Sequence, residues 1–182
     1  GVVAYPPETA GFPLVDPDFC GIILHELQDP GNLGTIIRTV WAAGIKTLFT
    51  TPGTVDPYGG KVVRASQGGI FNLQLLVRPL DTILVWAKQQ GIKVWGADPR
   101  GTKLYYEEDL TGPTLFLLGN EAHGFDRTKL DRGRAVEGIR IPLPGGAESL
   151  NVSIAASKSS IVGLGSVKIL AFSLVFTSTD SA

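Results

Sequence analysis

The chain has 182 residues, 43% of them hydrophobic, enough for one domain with a sizeable core. Its 16 basic residues are offset by 17 acidic ones, and the sequence pI is about 6.1, so the chain as a whole lacks the basic footprint of an autonomous nucleic-acid binder. One Cys and two His exclude a disulfide framework and a zinc site of the usual ligand count, and a single Cys fits a reducing, cytoplasmic setting.

Residues 1–18 hold four Pro and two Gly and read as a linker; residues 19–182 read as the domain it leads into. The absence of Met predicts a piece of a longer protein, and nothing at the start has the form of a signal peptide. Phe19 to Leu27 is a predicted strand. Asp29-Pro30-Gly31 then turns the chain, with Asn32 as N-cap of a helix over Leu33 to Ala43. Leu33, Ile37, Val40, Trp41 and Gly44 form its apolar stripe, and Arg38 lies at the stripe's edge. Its stem can pack there while the guanidinium reaches a cleft.

Thr47 to Thr51 is the next strand, closed by Pro52-Gly53. A short helix over Lys61 to Ser66 and a strand near Phe71 to Val77 follow. Asp81 is expected to cap a helix to about Gln90, with Gly91 at its C′ position. Lys93 to Ala97, Thr114 to Leu118 and Ile139 to Ile141 complete the strands. Strand alternating with helix predicts an α/β fold, a mainly parallel sheet with helices on both faces. The apolar tail Ile161 to Phe176 is interrupted by Lys168 and falls short of the roughly 18 residues of a membrane span, so it is assigned to the core and no membrane partner is expected.

Chemistry concentrates in loops that follow strands. Leu118 leads into Gly119-Asn120-Glu121-Ala122-His123-Gly124, which sets a carboxylate between conformationally free residues. Ile141-Pro142-Leu143 leads through Pro144-Gly145-Gly146 to Ser149-Leu150-Asn151-Val152-Ser153. In open α/β sheets ligands sit outside the carboxyl ends of strands, where two such loops can wrap one small molecule with backbone groups. Each loop also has a plainer reading. Glu121 and His123 can be surface groups, Arg38 an ordinary solvated charge, and Ser149 the cap of a helix whose apolar face is Val152, Ala155 and Ala156.

Taken in order, Asn32…Arg38, Gly119…Gly124 and Ile141-Pro142…Ser149-Leu150-Asn151-Val152-Ser153 resemble the three sequence motifs of the SpoU/TrmH RNA 2′-O-ribose methyltransferases of the SPOUT superfamily. The resemblance implies a SPOUT-type domain with a C-terminal deep trefoil knot, an exception to the rule against threading. It implies S-adenosyl-L-methionine as cofactor, with no metal. The cofactor-binding positions it implies are Leu118, Gly119, Asn120, Glu121, Gly124, Ile141, Pro142, Leu143, Ser149, Leu150 and Asn151. The catalytic set it implies is Asn32, Arg38, Glu121, Ser149 and Asn151. It further implies a homodimer acting on rRNA or tRNA, and an RNA-recognition domain upstream of the Pro-rich start that supplies most of the RNA affinity.

For such a reaction a ribose 2′-hydroxyl must be positioned and helped to lose its proton. The resemblance assigns that help to Arg38. Because arginine stays protonated in proteins, it either stabilises the developing alkoxide or becomes basic only beside an RNA phosphate. One stretch departs from the pattern: after Asn151 the continuation over 158–166 is rich in Ser and Gly, so the helix stops near Ile161 or the tail has diverged. A dehydrogenase would need Gly-x-Gly-x-x-Gly after the first strand, and a serine hydrolase Gly-x-Ser-x-Gly; neither is present. The rival is a catalytically silent SPOUT-like RNA-binding or assembly module.

Overall fold

A strand that is apolar at consecutive positions needs a sheet covered on both faces, and that is where these apolar runs go. The computed structural model describes residues 11–97, 101–104, 106–119 and 136–140. Its strands are β1 (Cys20–Leu24), β2 (Thr47–Thr50), β3 (Gln74–Val77), β4 (Lys93–Ala97), β5 (Lys103–Leu104), β6 (Thr114–Leu118) and β7 (Val136–Arg140). They form one seven-stranded sheet in the order β3-β2-β1-β6-β4-β7-β5. Every pairing is parallel, with Ile22 opposite Leu48 and Phe116, and Trp95 opposite Phe116.

Alternate residues of the central strands feed separate cores. Ile22, Leu24, Leu48, Phe116 and Leu118 pack under α1 (Pro30–Ala42) and α2 (Gly60–Ala65). Ile23, Phe49, Leu115 and Leu117 pack under α3 (Leu80–Gln89) on the other face. The expected helices on both faces are therefore present. Residues 11–18 form no helix or strand, yet Phe12 stacks on Trp86 of α3 at 4.6 Å between ring centroids, and Val15 joins the same core.

Several local expectations are corrected. The cap of α1 is Asp29, whose Oδ1 accepts the Asn32 backbone N–H at 2.6 Å. Asn32 lies inside the first turn because Pro30, with its fixed φ, already suits the helix start. Ile36 joins Leu33, Ile37 and Val40 in the buried stripe, whereas Trp41 is 42% exposed and Gly44 closes the helix at φ +75. Burying those four aliphatic side chains contributes about 1.5–3 kcal/mol each, well above the cost of about 1 kcal/mol for a glycine inside the helix, here Gly34. Pro79 holds the N-cap position of α3 without a side-chain bond, and Asp81 sits in its first turn. Gly91, at φ +68, follows the C-cap as expected. The stretch expected as a strand near Phe71 divides into a 3-10 turn, Gly69–Phe71, and β3.

β1 ends at Leu24, short of Leu27, and β7 starts at Val136, ahead of Ile139. The two-residue β5 carried no sequence signal. Its Lys103 joins Glu137 of β7, lies 3.6 Å from Glu108 and covers the Trp95 ring at 5.5 Å. Hydrogen bonding to Glu137 holds the Lys103 ammonium above the ordinary lysine range. The C-terminal segment that would form the expected knot, and the apolar 161–176 tail, lie outside the described residues.

Candidate functional site

From β1 the chain winds outward through β2 and β3, then crosses under α3 to β4 on the other side, leaving the slot that β6 fills. The carboxyl ends of β1 and β6 thus flank a point where strand order reverses, the position at which open α/β sheets bind ligands. The sequence-predicted elements that are described converge here: the start of α1 with Asn32, and Leu118-Gly119 at the end of β6.

This edge is tied down by backbone bonds. His25 N–H donates to Leu118 O at 2.8 Å and Thr51 N–H to Leu24 O at 3.0 Å, extending the ladder past both neighbours of β1. Gln28 Nε2 donates to Glu26 O and to Gly53 O, at 3.0 and 2.6 Å. Glu26 holds φ +56, a left-handed conformation that costs a residue with a Cβ and recurs where surroundings overdetermine the backbone.

Sequence reasoning missed a polar group at this edge. The Thr51 hydroxyl oxygen accepts the Glu26 N–H at 3.1 Å and lies 3.0 Å from His25 Nδ1. Thr51 is buried, and its hydroxyl and His25 Nδ1 share a hydrogen bond whose direction follows the ring's tautomer. Glu26 Oε1 stands 4.0 Å from His25 Nε2. The available signal was a histidine directly after a strand that ends at the reversal point.

Asn32 is nearly buried beneath the start of α1, and Arg38 is exposed. Six residues advance a helix about 9 Å and turn it by more than one and a half revolutions, so the described chain sets these two side chains on different sides of α1. Arg38 has no ion pair or hydrogen bond with another described residue. Gly119 is half-buried at the end of β6, and a residue without a Cβ lets a ligand approach the main chain closely. Asn120, Glu121, Gly124, Ile141, Pro142, Leu143, Ser149, Leu150 and Asn151 lie outside the described residues.

A cavity of about 840 Å³ opens at the opposite, amino-terminal edge of the sheet, beside Phe12, Leu14, Phe19, Lys46 and Thr47. None of the predicted site residues lines it. No helix among the described residues is long and apolar enough to cross a membrane.

The model of the SpoU rRNA Methylase family matches residues 20–158. The 23S rRNA (guanosine(2553)-2′-O)-methyltransferase RlmP of Bacillus subtilis (strain 168) is 36% identical over 136 residues, covering 75% of this chain and 54% of that protein. The 23S rRNA (guanosine-2′-O-)-methyltransferase RlmB of Xylella fastidiosa (strain 9a5c) is 33% identical, covering 74% and 54%. Among solved structures, the AdoMet-bound rRNA methyltransferase from Sinorhizobium meliloti superposes with a TM-score of 0.71 at 30% identity, covering 86% of this chain and 56% of that one. The SpoU methyltransferase AviRb from Streptomyces viridochromogenes gives 0.68 at 28%, covering 88% and 60%. The chain spans about half the length of the curated relatives it matches.

Proposed function

The chain belongs to the SpoU rRNA methylase family, and from that premise we propose that it transfers a methyl group from S-adenosylmethionine to a ribose 2′-hydroxyl of a structured RNA, rRNA in preference to tRNA. The observation that carries the proposal is the convergence of the start of α1, with Asn32, and the β6 end on one reversal point of a parallel sheet. The relatives' names support the rRNA class, and a solved neighbour with AdoMet bound supports the cofactor.

The cofactor supplies an electrophilic methyl on a sulfonium centre. Leu118, Gly119, Asn120, Glu121, Gly124, Ile141, Pro142, Leu143, Ser149, Leu150 and Asn151 hold it in this proposal, largely through main-chain groups. Arg38 would meet the reacting hydroxyl and stabilise the negative charge that grows on its oxygen as the proton passes to water. Asn32, Glu121, Ser149 and Asn151 hold the ribose and the loops in register, and positioning supplies much of the rate. The proposal includes the family's knotted C-terminal segment, a homodimer, and residues 1–18 as a linker from an upstream domain that supplies most of the RNA affinity.

Calorimetric titration with S-adenosylmethionine, followed by methyl transfer to rRNA from a strain lacking the gene, tests the reading. Binding and incorporation at one ribose are expected. A flat titration with folded protein overturns it, and binding without transfer identifies a silent module.

A further inference from the structure

The cavity at the amino-terminal edge of the sheet lies apart from the candidate site, and the residues that lead into β1 build part of its wall. Phe12, Leu14, Phe19, Ala43 and Ile45 make that wall largely apolar. Leu14 is 96% exposed, an apolar side chain left uncovered by the described residues. Lys46 also lines the cavity, and no ion pair or side-chain hydrogen bond joins it to another described residue.

The chain runs along this wall in a fixed course. Phe12 lies 5.9 Å from the Phe49 ring as well as stacking on Trp86, and Phe19 meets Trp86 edge-on at 5.9 Å. The described residues begin at Gly11, one position before the wall, so the ten residues ahead of Gly11 start from the cavity's rim. Among those ten, Val2-Val3-Ala4-Tyr5 is a continuous apolar run, and Glu8 is the one charged side chain. Pro6-Pro7 between them favours an extended course. The six steps from Tyr5 to Gly11 span up to about 20 Å, more than the width of a cavity of about 840 Å³.

We propose that residues 2–5 fold back over this cavity and cover Leu14, with Glu8 opposite Lys46, as an arm docked on the amino-terminal edge of the sheet. The apolar run matches an apolar wall, and the acid answers a cation that has no other described partner. A buried Tyr5 hydroxyl needs an acceptor, and the exposed Asp18 carboxylate on the same wall offers one. A segment of the same chain outcompetes a separate partner because it is always present at high effective concentration. An arm fixed there holds the upstream domain of the proposed function at the edge opposite Gly119. That consequence rests on the proposed function, whereas the docking itself does not.

Cys20, the single cysteine, lines the cavity and reports on its cover. The test follows alkylation of Cys20 by iodoacetamide in the whole chain, read by intact mass. Val3→Ser and Tyr5→Ser should each speed alkylation by about ten-fold, with Tyr5→Phe keeping most of the protection. Val85→Ser, exposed on α3, should leave the rate unchanged. Equal rates in the parent and both serine variants at positions 3 and 5 overturn the arm. Calorimetry with S-adenosylmethionine on the same samples judges the proposed function separately. Protection that fades on dilution in step with dissociation of a dimer means that the segment of another copy fills the cavity, and it overturns the proposal as well.

Discussion

At the residue scale, polar groups divide into those that face solvent and those that hold a buried loop. Arg38 is exposed and unpaired among the described residues, so its replacement leaves no buried partner stranded. In the proposed function Arg38 meets the reacting hydroxyl, so Arg38→Ala should abolish methyl transfer; because it strands no buried partner, cofactor affinity and thermal midpoint should stay near the parent values, measured by calorimetry and melting on one sample. Thr51→Val is the opposite case. It removes the acceptor of the Glu26 N–H and the partner of His25 Nδ1 at a buried position, at a cost of about 1–3 kcal/mol. Urea unfolding should show a lower midpoint with an unchanged slope, and an unchanged midpoint would remove Thr51 from the hinge of this edge. Asn32 and Arg38 were legible as positions because their residue types stand at a recognisable spacing. Their burial was not legible, because a spacing of six leaves open which side of a helix faces the sheet. Thr51 was invisible for a related reason: its partners come from another strand.

At the element scale, α1 is held by contacts that propensity alone would not anticipate. Replacing an interior glycine by alanine ordinarily stabilises a helix by up to about 1 kcal/mol. At Gly34 the new methyl would meet Ala65 Cβ at 2.4 Å and Val62 O at 2.8 Å, and the latter belongs to backbone. Overpacking then dominates, and Gly34→Ala should destabilise the fold by about 1–3 kcal/mol. Stabilisation in a denaturant titration would mean that α2 moves aside easily. Long, strongly patterned elements were legible: β2, β4 and β6 and the bodies of α1 and α3 fall where apolar periodicity puts them. Helix starts were less so, because Asp29 and Asn32 are both good caps and only Pro30 between them decides. The 3-10 turn escaped notice because Ile70 and Phe71 supply strand-like residues while Gly68 and Gly69 bend the chain.

At the scale of the whole molecule, a parallel α/β sheet follows from alternating elements, but strand order does not. Nothing local says that β6 enters between β1 and β4, because that order depends on where α3 carries the chain.

The central place of β6 also orders events in time. On an emerging chain, β1, β2 and β3 can pair as soon as they appear, and β4 follows with its own core contacts. Yet β1 and β4 cannot join each other, since the strand between them is made later. Until Thr114–Leu118 arrives, Ile22 and Trp95 lack their shared partner Phe116, and each half offers an unpaired, mostly apolar margin. Such margins recruit strands from other chains. A pause in synthesis between β4 and β6 therefore prolongs that hazard, and the stretch that later delivers Leu118 and Gly119 to the candidate site is also the one that closes the gap between β1 and β4.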